Sequence, residues 1–179
     1  CLKDICKCII DTLGDRFSVH GFKYKLPTSD GKNLPSIDEP SAAELREDLE
    51  VLYLENPYRK GIEGDYTAED LEREGDLFFQ GGNIPWFLFY EAGAGHFDAE
   101  RDLTKEIVSK IQSSFINQFK SGKVNLYHAP GSGGTTLGQR ILWELRTVTP
   151  CVQVKTNTRC TIQSLLQKIE TLFEKTNLP

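Results

Sequence analysis

Residues 123–140 read KVNLYHAPGSGGTTLGQR, and this stretch decides how the chain is understood. Val124–Tyr127 is a short apolar run with strand character, the next residues form a Gly-rich turn, and Thr135–Arg146 has the spacing of a helix with Leu137, Ile141, Leu142 and Leu145 turned inward. Strand, glycine turn and helix in that order are the layout of a phosphate-binding P-loop, whose usual pattern is G-x-x-x-x-G-K-[ST]. Aligned on Pro130–Gly133, His128 takes the first glycine's place and Gly133 is the second glycine. Gly134 stands where the lysine belongs, and Thr135 falls on the Mg²⁺-ligand position. The shape of a nucleotide site is present without its main charge.

Phosphate binding by such a loop has two sources: backbone N–H groups pointing into a concavity, and the positive end of the helix dipole. Pro130, Gly131, Ser132, Gly133, Gly134, Thr135 and Thr136 are therefore the candidate cofactor-binding residues, for ATP or a related nucleotide. Thr135 is the candidate ligand of its Mg²⁺. None of these roles needs a lysine, but phosphoryl transfer does need charge at the transferable phosphate. Arg140, Lys155 and Arg159 are the nearby cations that could enter. No apolar strand ending in Asp follows residue 155 to orient Mg²⁺ and water, so no catalytic residue is assigned. A slow NTPase borrowing a cation from elsewhere is the enzymatic alternative; a structural domain with a vestigial loop is the other.

Downstream, Cys151–Lys155 reads as a second strand and Thr161–Lys175 as a second helix. This β-α-β-α order predicts the start of a parallel α/β sheet. Upstream, residues 102–119 (DLTKEIVSKIQSSFINQF) predict one amphipathic helix. IPWFLFY at 84–90 is the most apolar run, and Pro85 argues against a central strand. Trp86–Tyr90 is expected as a short strand or wedge packed against the next domain. Thr67 caps a predicted acidic helix over AEDLEREGDLFF. Ser41 and Glu44 form a capping box that opens a predicted helix over AAELREDLEVLYLE, with Leu45, Leu49 and Leu52 on one face. Residues 27–40 read as a loop and linker, Phe17–Leu26 as one or two short strands, and residues 2–13 as a helix.

Bulk composition is that of a globular domain: 39% hydrophobic and 26% charged. A net charge of -5 argues against nonspecific nucleic-acid binding, and no apolar run reaches the ~20 residues of a membrane span. The absence of methionine and the start at Cys1 suggest a piece of something larger. The five cysteines have no C-x-x-C spacing, which argues for reduced thiols and against zinc. His20 and His96 have no ligand partners at metal spacing, and His128 reads first as a loop-packing residue. The pairs Glu47/Asp48 and Glu69/Asp70 read as solvated helix faces rather than acid–base dyads. Trp143 and Leu145 read as core.

REDLEVLYLENPY, GGNIPWFLFYE, GHF and LYHAPGSGGTTL followed by ILWELR closely resemble the sterile-alpha-motif-domain-containing protein 9 and 9-like family of vertebrates, from about residue 15 to about residue 152. The lysine-less loop is part of that resemblance. It implies a large cytosolic, interferon-linked antiviral protein that restrains translation and growth, with endosome association also allowed. It implies contact with neighbouring domains of the parent chain, and nucleic-acid contact only through other parts of it. The implied organisation is a mostly helical segment followed by the first β-α-β-α of a STAND-like P-loop NTPase. Residues 1–40 would end a Sir2-like region, 41–97 would be an acidic helical linker, and 98–179 would begin the NTPase.

Overall fold

The computed structural model describes residues 24–28, 35–57, 67–82, 84–92, 101–156 and 160–176. They form a mixed helix and strand fold: α1 (Glu39–Asp48), β1 (Leu49–Leu52), α2 (Ala68–Phe79), α3 (Trp86–Ala92), α4 (Asp102–Ile111), a π-turn (Gln112–Ile116), α5 (Gly134–Leu145), β2 (Cys151–Val154) and α6 (Ile162–Thr176). The expected helix at 2–13 and most of the expected strand at 17–26 lie outside the described residues. Lys25 forms an isolated antiparallel bridge with Ser36.

β1 organises the rest. It pairs antiparallel with β2, with Leu49 opposite Val154, Val51 opposite Val152 and Leu52 opposite Cys151. Side chains of a strand alternate between faces, and here each face lines a different core. Leu49, Val51 and Tyr53 join Tyr24, Leu26, Ile37, Ala42, Leu45 and Leu172. Leu52 joins Ile84, Trp86, Leu88, Phe89, Leu137, Ile141, Trp143, Leu145 and Cys151. Glu50 shares the second face and accepts a hydrogen bond from Trp86 Nε1 at 2.9 Å.

This corrects the expected helix over 42–55. Leu45, Leu49 and Leu52 fit a helical face, but Leu49, Val51 and Tyr53 also fit a period of two, and pairing with CVQV selects the strand. The helix starts earlier too. Asp38, not Ser41, is the N-cap: its carboxylate accepts from Ser41 N at 2.9 Å and from Ser41 Oγ at 3.0 Å. Those bonds hold the Asp38 carboxyl below its ordinary range.

α2 matches its expectation, with Thr67 and Asp70 closing a reciprocal capping box. The 84–90 run is a wedge but not a strand: it forms α3. Pro85 sits just before the helix, where a missing N–H costs nothing. α3 packs its aromatics on the loop helix, with Phe89 5.3 Å and Tyr90 4.8 Å from the Trp143 ring, the latter edge-on. Buried Gln139 adds a polar tie, donating to Ile84 O at 3.1 Å. Trp143 and Leu145 are core, as read.

The predicted 102–119 helix is α4 plus the π-turn, in which Asn117 N bonds Gln112 O at 2.8 Å. Val124–Tyr127 is not a strand. No backbone hydrogen bond reaches residues 121–128 among the described residues, and Tyr127 is 91% exposed. A strand exists through its neighbour, and none of the described segments bonds to the backbone of this one. The sheet among the described residues is therefore two-stranded and antiparallel, not the start of a parallel one.

α6 clamps the first core. Lys168 is 7% exposed and donates to Asp48 at 2.6 Å and Glu47 at 3.2 Å. Burial alone would lower this ammonium, but the two carboxylate bonds override it and hold its pKa above the ordinary lysine value. Glu47 and Asp48 are thus structural partners of a buried lysine, more than a solvated face. Asp70 likewise serves as part of a helix cap.

Candidate phosphate-binding loop

Two glycines shape the loop. Gly131 and Gly133 have φ of +77° and +76°, the left-handed region that side chains with a Cβ rarely enter. Between them Ser132 folds back, its N and Oγ donating to Ala129 O at 3.1 and 2.8 Å. Gly133 is the N-cap of α5 and offers no side-chain cap. The helix's first intrahelical bond runs from Leu137 N to Gly133 O at 2.9 Å. The amides of Gly133, Gly134, Thr135 and Thr136 therefore have no acceptor among the described residues. Such orphan donors at a helix start are what an anion satisfies.

Pro130, Gly131, Ser132 and Thr135 are exposed, Gly133 and Thr136 half-buried, and Gly134 buried. The seven candidate residues form one continuous turn and first helical turn, and Thr135 is exposed.

Gly134 is buried by His128. A Cβ built on Gly134 would collide with the His128 imidazole ring. The two departures from the P-loop pattern are thus one feature: the ring at the first-glycine position occupies the space that a side chain at 134 would need. The ring is tethered by Nδ1, 3.1 Å from Ala129 O.

Of the three expected cations, two lie elsewhere. Arg140 is buried, with Glu144 at 3.9 Å. Lys155 donates to Arg46 O at the end of α1. Arg159 lies outside the described residues. Among the described residues the cation at the loop is Arg101, at the N-cap of α4, whose Nη1 donates to Ser132 O at 3.2 Å and to Gly133 O at 3.5 Å. A lone arginine preceding Asp102 carries no signal in the sequence; only the packing of α4 against α5 brings it across 31 residues.

Beside the loop helix lies a cavity of about 340 Å³, lined mainly by Ile107, Ile111, Val124, Leu126 and Leu142, with Thr135 and Gln153 on its polar margin. Cys151 is buried against cluster and sheet, and burial pushes its thiol up to about 12, so it is no nucleophile. Among the described residues no three His, Cys, Asp or Glu side chains gather as a metal site. No helix among them is long and apolar enough to cross a membrane.

The chain is 30% identical over 148 residues to human sterile alpha motif domain-containing protein 9, a match covering 76% of this chain and 9% of that protein. It is 31% identical over 118 residues to the human 9-like protein, covering 62% and 7% of the two chains. The mouse 9-like protein is 33% identical over 87 residues, 44% of this chain and 5% of its own. The chain thus spans under a tenth of the length of these relatives. No family model matches it, and no solved structure does.

Proposed function

Because the chain belongs to the family of sterile alpha motif domain-containing proteins 9 and 9-like, we propose that it is a nucleotide-binding regulatory segment of a cytosolic antiviral protein that restrains translation and growth. The loop takes the phosphates of ATP or a related nucleotide with Mg²⁺, and the loop, α5, β2 and α6 open a STAND-like P-loop unit. One observation carries this reading: four consecutive amides, Gly133 to Thr136, have no acceptor among the described residues at the start of a helix, behind two glycines in left-handed conformation.

The loop's residues bind and orient. The amides would hold phosphate oxygens, and the exposed Thr135 hydroxyl would reach the metal that rides with them. Among the described residues, no carboxylate is hydrogen-bonded or ion-paired to this loop. The output of the switch is occupancy, which needs only different affinities in two states. α5 is the route outward, since Gln139 and Trp143 tie it to α3.

Isothermal titration of the chain with MgATP tests the reading. Saturable binding, weakened when Thr135→Ala removes the metal-side hydroxyl or when Mg²⁺ is withheld, is the expected result. No heat of binding at millimolar ATP defeats it.

A further inference from the structure

We infer that Arg101 supplies the positive charge this loop lacks, acting on the bound anion from the reverse side of the loop. The inference rests on the phosphate-binding reading above. It begins with which atoms Arg101 holds. Ser132 O and the Gly133 amide belong to one peptide group, and Gly133 O and the Gly134 amide to the next. Arg101 Nη1 donates to both carbonyls. In a trans peptide the C=O and N–H point in opposite directions, so the guanidinium and a bound phosphate would sit on opposite sides of the same two peptides. A cation on the oxygen draws electron density through the amide and makes the N–H a stronger donor, as in any polarised hydrogen-bond chain.

Three further observations fit this role. No carboxylate pairs with Arg101 among the described residues. Among those residues its hydrogen bonds go to the two loop carbonyls, so the loop holds the guanidinium in place. Gly133 leaves room for the approach, because a Cβ there would fall on Arg101 Nη2, which would then have to shift. The glycine at 133 therefore serves two ends, the left-handed turn and the arginine's access. Lysine at position 134 would reach the phosphates from the front; Arg101 reaches their binding amides from behind. It is a positioning residue that acts through the backbone.

The test is MgATP, MgADP and inorganic tripolyphosphate binding by wild type, Arg101→Gln, Arg101→Met and Arg101→Lys. If the inference holds, both neutral variants bind tripolyphosphate and ATP about tenfold or more weakly. Lysine restores most of the loss, and the loss is smaller for ADP than for ATP because it scales with ligand charge. A loop merely loosened by the substitution would lose affinity equally for all three ligands and in all three variants, and that result overturns the inference. Equal binding by wild type and both neutral variants also overturns it while leaving the loop's function intact. Failure of wild type to bind any of the three overturns the loop reading itself. Thermal melting of each variant confirms that binding is compared between folded proteins, and the Met and Lys variants decide the matter if the Gln variant does not fold.

Discussion

Replacing Gly134 by alanine asks the most direct question about this loop, because the answer depends on His128. On propensity alone, Gly→Ala in a helix stabilises by up to ~1 kcal/mol, with less to gain at the first turn. Here the new Cβ meets the His128 ring. The ring must swing out, giving up its contact with Ala129 O and its packing on the helix start. An exposed hydrogen bond contributes ~0.5–1.5 kcal/mol, and overpacking costs ~1–3 kcal/mol where nothing can move. His128 is exposed and can move, so the lower end applies. Gly134→Ala in wild type is therefore expected to be destabilising by about 1 kcal/mol. In a His128→Ala background the same change is expected to be neutral or stabilising, by up to ~1 kcal/mol. The coupling between the two sites is then about 1–2 kcal/mol, well above the ~0.3–0.5 kcal/mol scatter of independent sites. Urea denaturation of the four proteins measures it. Additive changes would refute the packing, and with it the idea that the missing lysine and the histidine form one feature. The same pair governs repair of the motif. Gly134→Lys alone should bind ATP no better than wild type, while Gly134→Lys with His128→Gly should bind it more tightly.

Two other outcomes follow from the packing. Trp143→Ala removes the ring that Phe89, Tyr90 and Arg146 contact, and should destabilise by ~3–5 kcal/mol in urea denaturation. Asp70 is held below its ordinary pKa of 3.8 by the Thr67 side-chain and backbone bonds. A depressed carboxyl contributes stability that is present above the unfolded value and lost as pH falls through the folded one. Far-UV circular dichroism of α2 should therefore weaken only below about pH 4, and Thr67→Ala should cost ~1 kcal/mol at neutral pH while flattening that acid dependence.

The parts legible in the sequence are those written in local chemistry. Thr67 and Asp70 announce α2 by themselves, and GSGGTT announces a turn feeding a helix. What was not legible depends on partners distant in the chain. LEVLY fits a helix or a strand, and only CVQV, a hundred residues later, decides between them. VNLY has every local mark of a strand, but no described segment pairs with it. WFLFY is apolar on all sides and carries no period, so burial was clear and conformation was not; Trp143 and Gln139 settle it as a helix. Arg101 was invisible because a single arginine before a helix has no pattern. Its partner carbonyls are named only once α4 lies against α5.

β1 has four residues and two cores, and this arithmetic governs how the molecule comes apart. A wall shared by both sides cannot be withdrawn from one without exposing the other. Subglobal opening that spared the loop while releasing α6, or the reverse, would strand one face of β1 in water. The two halves therefore melt together, as a single cooperative unit. The 121–128 stretch, which takes part in no backbone hydrogen bond among the described residues, is expected to exchange its amide protons freely at the same time. The loop is followed by α5, whose Leu137, Ile141, Trp143 and Leu145 are held in the second core, and preceded by the exposed residues 121–128. Movement at the loop is thereby channelled toward residues 121–128 and kept out of the core.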